Sequence, residues 1–259
     1  MFRSTIVAAV AATALLATAQ AAQAAPWAPH MKSAIGYAAK RNGVISFAVK
    51  TDRKQYNWHA KRTVPSASVL KAMLLVAYLN MRSVRHRSLS SSEKRTLGPM
   101  IRRSSNSAAN TIISRVGLKR LRALARRAKM HRFSPTLPIW GNSRINADDQ
   151  VRFFYRIDKL IPKRHRRYAM YQLAHVTPSQ RWGIGRVQPK GWRLYFKGGW
   201  GSGTGRVDHQ VALLTRGRER VSVAILTYLD GSHSYGKATL RGVAKRLLRG
   251  LAESKPPAR

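Results

Sequence analysis

The stretch SVLKAMLLVAYL, residues 68–79, decides the fold, because it places one charged residue, Lys71, inside an otherwise apolar run. Residues 72–79 are almost all apolar, and a helix that is apolar on every side belongs in the middle of a protein. Ser68 and Lys71 are three residues apart near its amino end, so their side chains lie on one face. Burial disfavours the ammonium form of lysine, and a neutral amine can take the proton from a serine hydroxyl. The stretch therefore predicts a core helix that carries an activated serine.

The same spacing also occurs at Ser91 and Lys94, within a polar segment. There it indicates only a helix cap and a solvated lysine. Burial of the surrounding helix is what distinguishes the first pair from the second.

The composition bounds the class of protein. The chain has 259 residues, 44% of them hydrophobic, which indicates a globular protein of one or two domains rather than a basic disordered tail. The absence of cysteine excludes disulfides, thiolate zinc sites and a cysteine nucleophile. Lys and Arg number 49 against 9 Asp and Glu, and a field of this size draws a protein to polyanions until salt screens it.

The first 24 residues have the three-part build of a secretory signal peptide. Arg3 is followed by an apolar run over residues 6–17 and by small residues up to Ala24. A signal anchor is the alternative, but the run is shorter than the ~20 residues of a membrane span. We expect a secreted, periplasmic or cell-wall-associated protein with no membrane span after signal removal, made of one folded domain over residues 25–253 and a disordered tail over 254–259.

Elements predicted along the chain suggest an α/β (α+β) fold. Residues 43–59 are typical of a β-hairpin, and three further strands are predicted at 192–197, 209–215 and 220–229. Helices are predicted between these two groups, with a stop at Gly117, and an amphipathic helix over 238–251 closes the chain. The pattern predicts an antiparallel sheet of about five strands from both termini, flanked by helices, with an inserted all-helical lobe.

Three short motifs in order along the chain resemble those of a known family. They are Ser68-Val69-Leu70-Lys71, Ser104-Ser105-Asn106 and Lys197-Gly198-Gly199. Ser-x-x-Lys, then Ser-x-Asn, then Lys-[Thr/Ser]-Gly is the signature of the active-site serine penicillin-recognising enzymes, which include the class A β-lactamases and the D,D-peptidases. The resemblance covers about residues 32–253.

The resemblance implies a role for each matched residue. Ser68 would be the nucleophile and Lys71 its base, and Ser104 would relay a proton to the leaving nitrogen. The residues implied in substrate binding are Asn106, Lys197, Gly199 and Trp200. Backbone N–H groups of Ser68 and Trp200 would form the oxyanion hole, and Asn110 would be a buried structural asparagine. No cofactor and no metal are implied, and the eight histidines lack metal-ligand spacing.

Departures from the family pattern bear on the reaction. Ser105 replaces the usual Asp, and Gly198 replaces a Thr or Ser whose hydroxyl would bind the substrate carboxylate. None of the three glutamates lies in residues 129–145, where the lactamase loop carries its deacylating base. Asp148 and Asp149 are nearest, and we interpret them as first-turn helix acids. The sequence therefore favours a D,D-peptidase-like enzyme that is acylated by β-lactams or D-Ala-D-Ala-type peptides and deacylates slowly.

Other functions remain open at this point. One is a true β-lactamase that hydrolyses β-lactam antibiotics, and another is a catalytically impaired member of the fold that binds cell wall. An anionic cell-wall polymer as partner is a hypothesis that rests on charge alone, beside the β-lactam or peptidoglycan peptide substrate. A nucleic-acid-binding protein is disfavoured, since no recognisable binding motif is present. Arg206 is a further candidate anchor for a substrate carboxylate.

Overall fold

The computed structural model describes residues 27–201 and 205–254. The predicted signal peptide and residues 255–259 of the predicted tail lie outside this range. Ser254, the first residue of that tail, accepts a hydrogen bond from Arg216 Nη2 to its Oγ at 3.0 Å. In the part of the chain that is described, no helix is long and apolar enough to cross a membrane.

The central element is a five-stranded antiparallel sheet built from both ends of the sequence. The described residues contain seven strands, of which five form this sheet: β1 (Val44–Lys50), β2 (Gln55–Trp58), β3 (Val64–Pro65), β4 (Arg144–Ile145), β5 (Arg193–Gly201), β6 (Val207–Arg216) and β7 (Glu219–Tyr228). The sheet order is β2-β1-β7-β6-β5, and β3 pairs with β4 separately. The predicted fold class is confirmed, and β5 lies at one edge of the sheet with a side free to face the site.

Nine helices are present in the described residues. They are α1 (Met31–Ala38), α2 (Leu70–Leu79), α3 (Arg82–Arg85), α4 (Ser91–Arg102), α5 (Asn106–Arg127), α6 (Ala147–Tyr155), α7 (Ile157–Leu160), α8 (Lys163–Ala174) and α9 (His233–Leu247). Helices α2 to α8 form the inserted lobe between β2 and β5. One apolar core joins this lobe, α2 included, to one face of the sheet. A second apolar core joins α1 and α9 to the opposite face.

Helix α2 is the buried helix that the sequence predicts. All ten of its residues are buried, Lys71 included, because the helix is surrounded by the lobe. Ser68 does not lie on α2 itself but in a 3₁₀ turn, Ala67–Val69, that leads into it. Ala67 has φ 41°, a left-handed backbone that is uncommon for a residue with a Cβ.

Three helix boundaries refine the sequence prediction. Gly117 breaks α5 as expected, with non-helical φ 66° and ψ 165°. Helix α9 begins at His233, five residues before its predicted start at Ala238, because Ser232 Oγ accepts from Tyr235 N at 3.2 Å and caps it. The cap of α4 is Ser90, not Ser91, since Ser90 exchanges two hydrogen bonds with Glu93.

Candidate active site

Lys71 is a buried cation at the centre of the candidate site. Its side chain is fully buried, and Nζ donates to Asn106 Oδ1 at 2.7 Å, to Ser104 Oγ at 3.2 Å and to the Ser104 backbone oxygen. Desolvation by burial lowers the pKa of Lys71 from 10.5 to about 7. About half of this amine is therefore neutral at neutral pH, which is the form that can accept a proton.

A second buried amine reaches the same serine from β5. Lys197 Nζ donates to Ser104 Oγ at 3.0 Å and to Gly198 O at 2.7 Å. Burial, and then the charge of Lys71, hold the pKa of Lys197 well below its ordinary value. The Ser104 hydroxyl thus lies between two amines that disfavour each other's charge, and either amine in its neutral form can accept the proton of that hydroxyl.

Ser68 lies where the 3₁₀ turn meets the edge of the sheet. Its side chain is 8% exposed, and Lys71 Nζ does not hydrogen-bond to it. The backbone of β5 runs close to this turn, since a Cβ added at Gly199 would be 2.9 Å from both Ser68 N and Val69 N. Only glycine fits at this position, so Gly199 is what allows β5 to approach Ser68. Trp200, the next residue, is 36% exposed at the same edge.

His209 holds the turn before Ser68 in place, a role that the sequence does not reveal. The ring is fully buried on β6, its Nε2 is 2.8 Å from Pro65 O, and its Nδ1 accepts from Thr227 N at 3.2 Å. Nδ1 also lies 2.9 Å from Asp208 O. Pro65 O can only accept, so the contact to Pro65 is a hydrogen bond in the tautomer that carries its proton on Nε2. Burial lowers the pKa of His209 to about 4, so the ring is neutral and structural.

Trp140 covers Lys71 from the loop of residues 129–145. Lys71 Nζ lies 5.1 Å from the centroid of its ring, and Trp140 Nε1 donates to Asn110 Oδ1 at 2.7 Å. Asn110 is exposed, so the prediction that it is buried is wrong. The physical reason is that Asn110 lies on the side of α5 that faces this loop rather than the core. Its contact with Trp140 still fits a structural role.

The acids nearest the loop anchor it. Asp149 accepts from His131 N at 2.9 Å, from Arg132 N at 2.7 Å and from Asn146 Nδ2 at 2.9 Å. Asp148 forms an ion pair with Arg152 at 2.8 Å. Both lie in the first turn of α6, as the sequence predicts. Neither acid hydrogen-bonds to Lys71 or Ser68, and Asp149 holds the loop to the lobe instead.

An aromatic group borders the site beyond Trp200. His233 stacks on the Trp200 ring with centroids 5.7 Å apart, and Trp182 meets both rings edge-on. His233 Nδ1 is 2.6 Å from Asp208 Oδ1. Burial and the nearby Asp230 raise the pKa of Asp208 to about 8, and burial, followed by the charge of Lys237, lowers the pKa of His233.

The other candidates do not join this group. Lys94 is exposed, as expected for a solvated lysine. Arg206 is exposed in a turn with φ 54°, and residues 202–204 beside it lie outside the described range. Across residues 27–201 and 205–254, no group of three or more His, Asp or Glu side chains could hold a metal ion.

The fold and the converging serines and lysines define a class, the β-lactamase-like active-site serine hydrolases. A family model described as "Beta-lactamase enzyme family" matches residues 86–251, 166 of the 259 residues. The chain therefore belongs to the Beta-lactamase enzyme family. The match includes Ser104 and Lys197 but begins after Ser68 and Lys71. A comparison with curated protein sequences gives no match.

Solved structures share the fold at low sequence identity. The β-lactamase from Sphaerobacter thermophilus has a TM-score of 0.72 at 17% identity, covering 87% of this chain and 99% of that one. The class A β-lactamase from Mycobacterium abscessus gives 0.72 and 17%, covering 86% and 99%. A β-lactamase from Xanthomonas campestris gives 0.71 and 13%, covering 86% and 97%. Identities this low establish a common fold and leave the substrate to be argued from the site.

Proposed function

We propose that the protein is acylated on Ser68 by β-lactams or by D-Ala-D-Ala-type peptides and hydrolyses the acyl-enzyme slowly. The observation that carries this proposal is the convergence of two lysines on the Ser104 hydroxyl. They are Lys197 and Lys71, and Lys71 follows Ser68 by three residues. Two fully buried amines around one hydroxyl are costly to maintain, and proton transfer gives them a use.

The proposed reaction depends on proton transfer between Ser68, Lys71, Ser104 and the substrate. Neutral Lys71 accepts the proton of Ser68 Oγ as this oxygen bonds to the substrate carbonyl carbon, and tightening of this contact on substrate binding is common in such sites. Neutral Lys71 keeps two N–H donors for the Ser104 backbone oxygen and Asn106 Oδ1. The Ser104 hydroxyl then gives its proton to the leaving nitrogen as the C–N bond breaks, and Lys71 restores that proton. Water finally cleaves the ester and returns Ser68 to its starting form.

The same edge of the sheet would bind both the substrate carbonyl oxygen and the substrate carboxylate. The backbone N–H groups of Ser68 and Trp200 would stabilise the oxyanion, at ~3 kcal/mol for each donor in sites of this kind. Asn106, exposed at the start of α5, would bind the substrate amide. A substrate carboxylate that enters the site would favour the charged form of Lys197, whose Nζ lies beside Ser104 and Gly198, and would then be attracted by that charge.

Slow deacylation is supported by what surrounds Lys71. Residues 129–145 contain no Asp or Glu, and the acids that follow, Asp148 and Asp149, bind the loop backbone and Arg152. Trp140 occupies the loop side of Lys71 with an apolar ring. Water that reaches the acyl-enzyme from this side would therefore meet no carboxylate base. The basic exterior and the predicted signal peptide suit an exported enzyme that acts at an anionic cell wall.

Covalent labelling tests the proposal directly. The mature protein is incubated with fluorescent penicillin, and the adduct is followed by gel and by intact mass. We expect a stable adduct on native protein and on Ser91→Ala, the matched control with the same Ser-x-x-Lys spacing, and none on Ser68→Ala. Label that persists for hours supports slow deacylation, whereas rapid loss indicates an efficient β-lactamase. A folded native protein that takes no label refutes acylation and favours the wall-binding alternative.

A further inference from the structure

A large basic cavity lies along the outer edge of the sheet, between α8 and β5. Its volume is about 840 Å³, and the segment that joins these elements contributes Arg181 and Gln188 to its lining. The cations that line it are Lys163, Arg166, Arg167, Arg181 and Arg193. The lining contains no Asp or Glu.

None of these cations forms an ion pair in the described residues, although the charge of Arg166 acts on the carboxylate of Asp158. The ion pairs found in the described part of the chain use other basic residues, and none includes a cation of the cavity. Arg166 Nε donates to Asp158 O at 2.7 Å, and Arg181 Nη2 donates to Gln188 Oε1 at 2.9 Å, so both are held by neutral acceptors. Five of twelve lining residues are Lys or Arg, against 49 of 259 in the chain. Basic residues are thus concentrated here beyond the general excess.

The chemistry of the lining selects phosphate. Four of the five cations are arginines, whose planar guanidinium groups bind phosphate oxygens in pairs. The cavity exceeds what one phosphate fills, and it is within the size range of sites that hold extended ligands. Tyr171 and His175 on its wall are stacked on each other, with centroids 3.9 Å apart, and the remaining polar groups of the lining are the five cations, Gln188 and Tyr195. We propose that this cavity binds a linear phosphate polyanion.

The cavity and the candidate active site share one strand. Arg193, Leu194 and Tyr195 at the start of β5 line the cavity, and Lys197 and Gly199 on the same strand reach Ser104 and Ser68. Tyr195 and Gly199 are four residues apart, or about 13 Å along a strand. A polymer held in the cavity therefore lies next to the acylation site. The protein would dock on a phosphate-bearing polymer while Ser68 acts on a substrate beside it.

Charge reversal at matched positions tests this inference. Arg167→Glu/Arg193→Glu changes two exposed cavity cations, and Arg122→Glu/Arg126→Glu changes two exposed cations of α5 outside the cavity lining, with the same loss of net charge. The probe is inorganic polyphosphate, and the dissociation constant is measured by titration calorimetry over a series of salt concentrations. The cavity variant should bind about tenfold more weakly or worse. Its slope of log affinity against log salt should fall by about one for each cation removed. The α5 variant should stay within about threefold of native protein.

Two results would overturn the inference. Equal weakening in both double variants would mean that the whole basic surface binds the probe. Binding of single-stranded DNA without competition from polyphosphate would mean that bases, not phosphates, are recognised. Ser68→Ala should bind polyphosphate as native protein does. Since this variant takes no penicillin, failure of the cavity and failure of the proposed acylation give separate readouts.

Discussion

The buried amine of Lys71 predicts how the rate of acylation depends on pH. Desolvation lowers its pKa from 10.5 to about 7, and only the neutral form accepts the proton of Ser68. The neutral fraction is then about 3% at pH 5.5, about half at pH 7 and about 97% at pH 8.5. The second-order rate constant for acylation should therefore rise about 30-fold between the two ends and level off above pH 8.

The assay is time-resolved labelling with fluorescent penicillin over this pH range, with the adduct quantified after acid quenching. Lys71→Arg should abolish labelling at every pH, because a guanidinium keeps its proton. Lys94→Arg, which changes the exposed lysine of the second Ser-x-x-Lys pair, should leave the profile unchanged. A rate that still rises tenfold for each pH unit above 8 would mean that Lys71 has its ordinary pKa. A flat profile would mean that Lys71 is not the base, and either result refutes the reasoning.

Three further outcomes are expected. Gly199→Ala brings a Cβ to 2.9 Å from Ser68 N and Val69 N, so labelling should slow about tenfold or more while the circular dichroism spectrum is retained. Gly36→Ala is the control, because nothing lies within 4 Å of a Cβ at that position. Unchanged labelling of Gly199→Ala would contradict the close approach of β5 to Ser68. Trp140→Ala should shorten the lifetime of the adduct relative to Trp140→Phe, which keeps a ring over Lys71, as measured by loss of label; equal lifetimes would remove Trp140 from the account of slow deacylation. His209 has a folded-state pKa of about 4, below its unfolded value of 6.5, so it costs stability as pH falls below 6.5. From pH 7.5 to 4.5 the free energy of unfolding of native protein should fall by about 2.5 kcal/mol relative to His209→Gln. Urea titrations of both proteins at both pH values measure this difference, and parallel pH dependences would show that folding does not lower the pKa of His209.

The sheet and the core helix could be predicted because their signals are local. Alternating and β-branched runs identify the strands of the sheet, and the apolar run around Lys71 identifies α2. Motif order along the chain also pointed to Ser104 and Lys197. In the fold, Lys197 and Lys71 both hydrogen-bond to the Ser104 hydroxyl. The start of α9 was missed although Ser232 is an ordinary cap, because the first turn after it, HSYG, lacks the periodic apolar residues that mark a helix.

The contacts that complete the site depend on long-range packing, which no local pattern encodes. The contact of His209 with Pro65 spans 144 residues of sequence, and the cover of Lys71 by Trp140 depends on how one loop packs against α5. The exposure of Asn110 has the same origin, since only the position of the loop decides which face of α5 is covered. The sequence also does not indicate the left-handed backbone of Ala67 and Ser104, because neither residue is a glycine.

The pairing of β1 with β7 has a consequence for how the molecule is made. Val44 lies opposite Tyr228, so the middle of the sheet joins two segments separated by most of the chain. A ribosome that has produced only the amino-terminal half has released Ser68 and Lys71 but neither β6, which supplies His209, nor β5, which supplies Lys197. Closing so long a loop is slow. The nucleophile is therefore translated early, but the site around it is completed only after synthesis of the chain is almost finished.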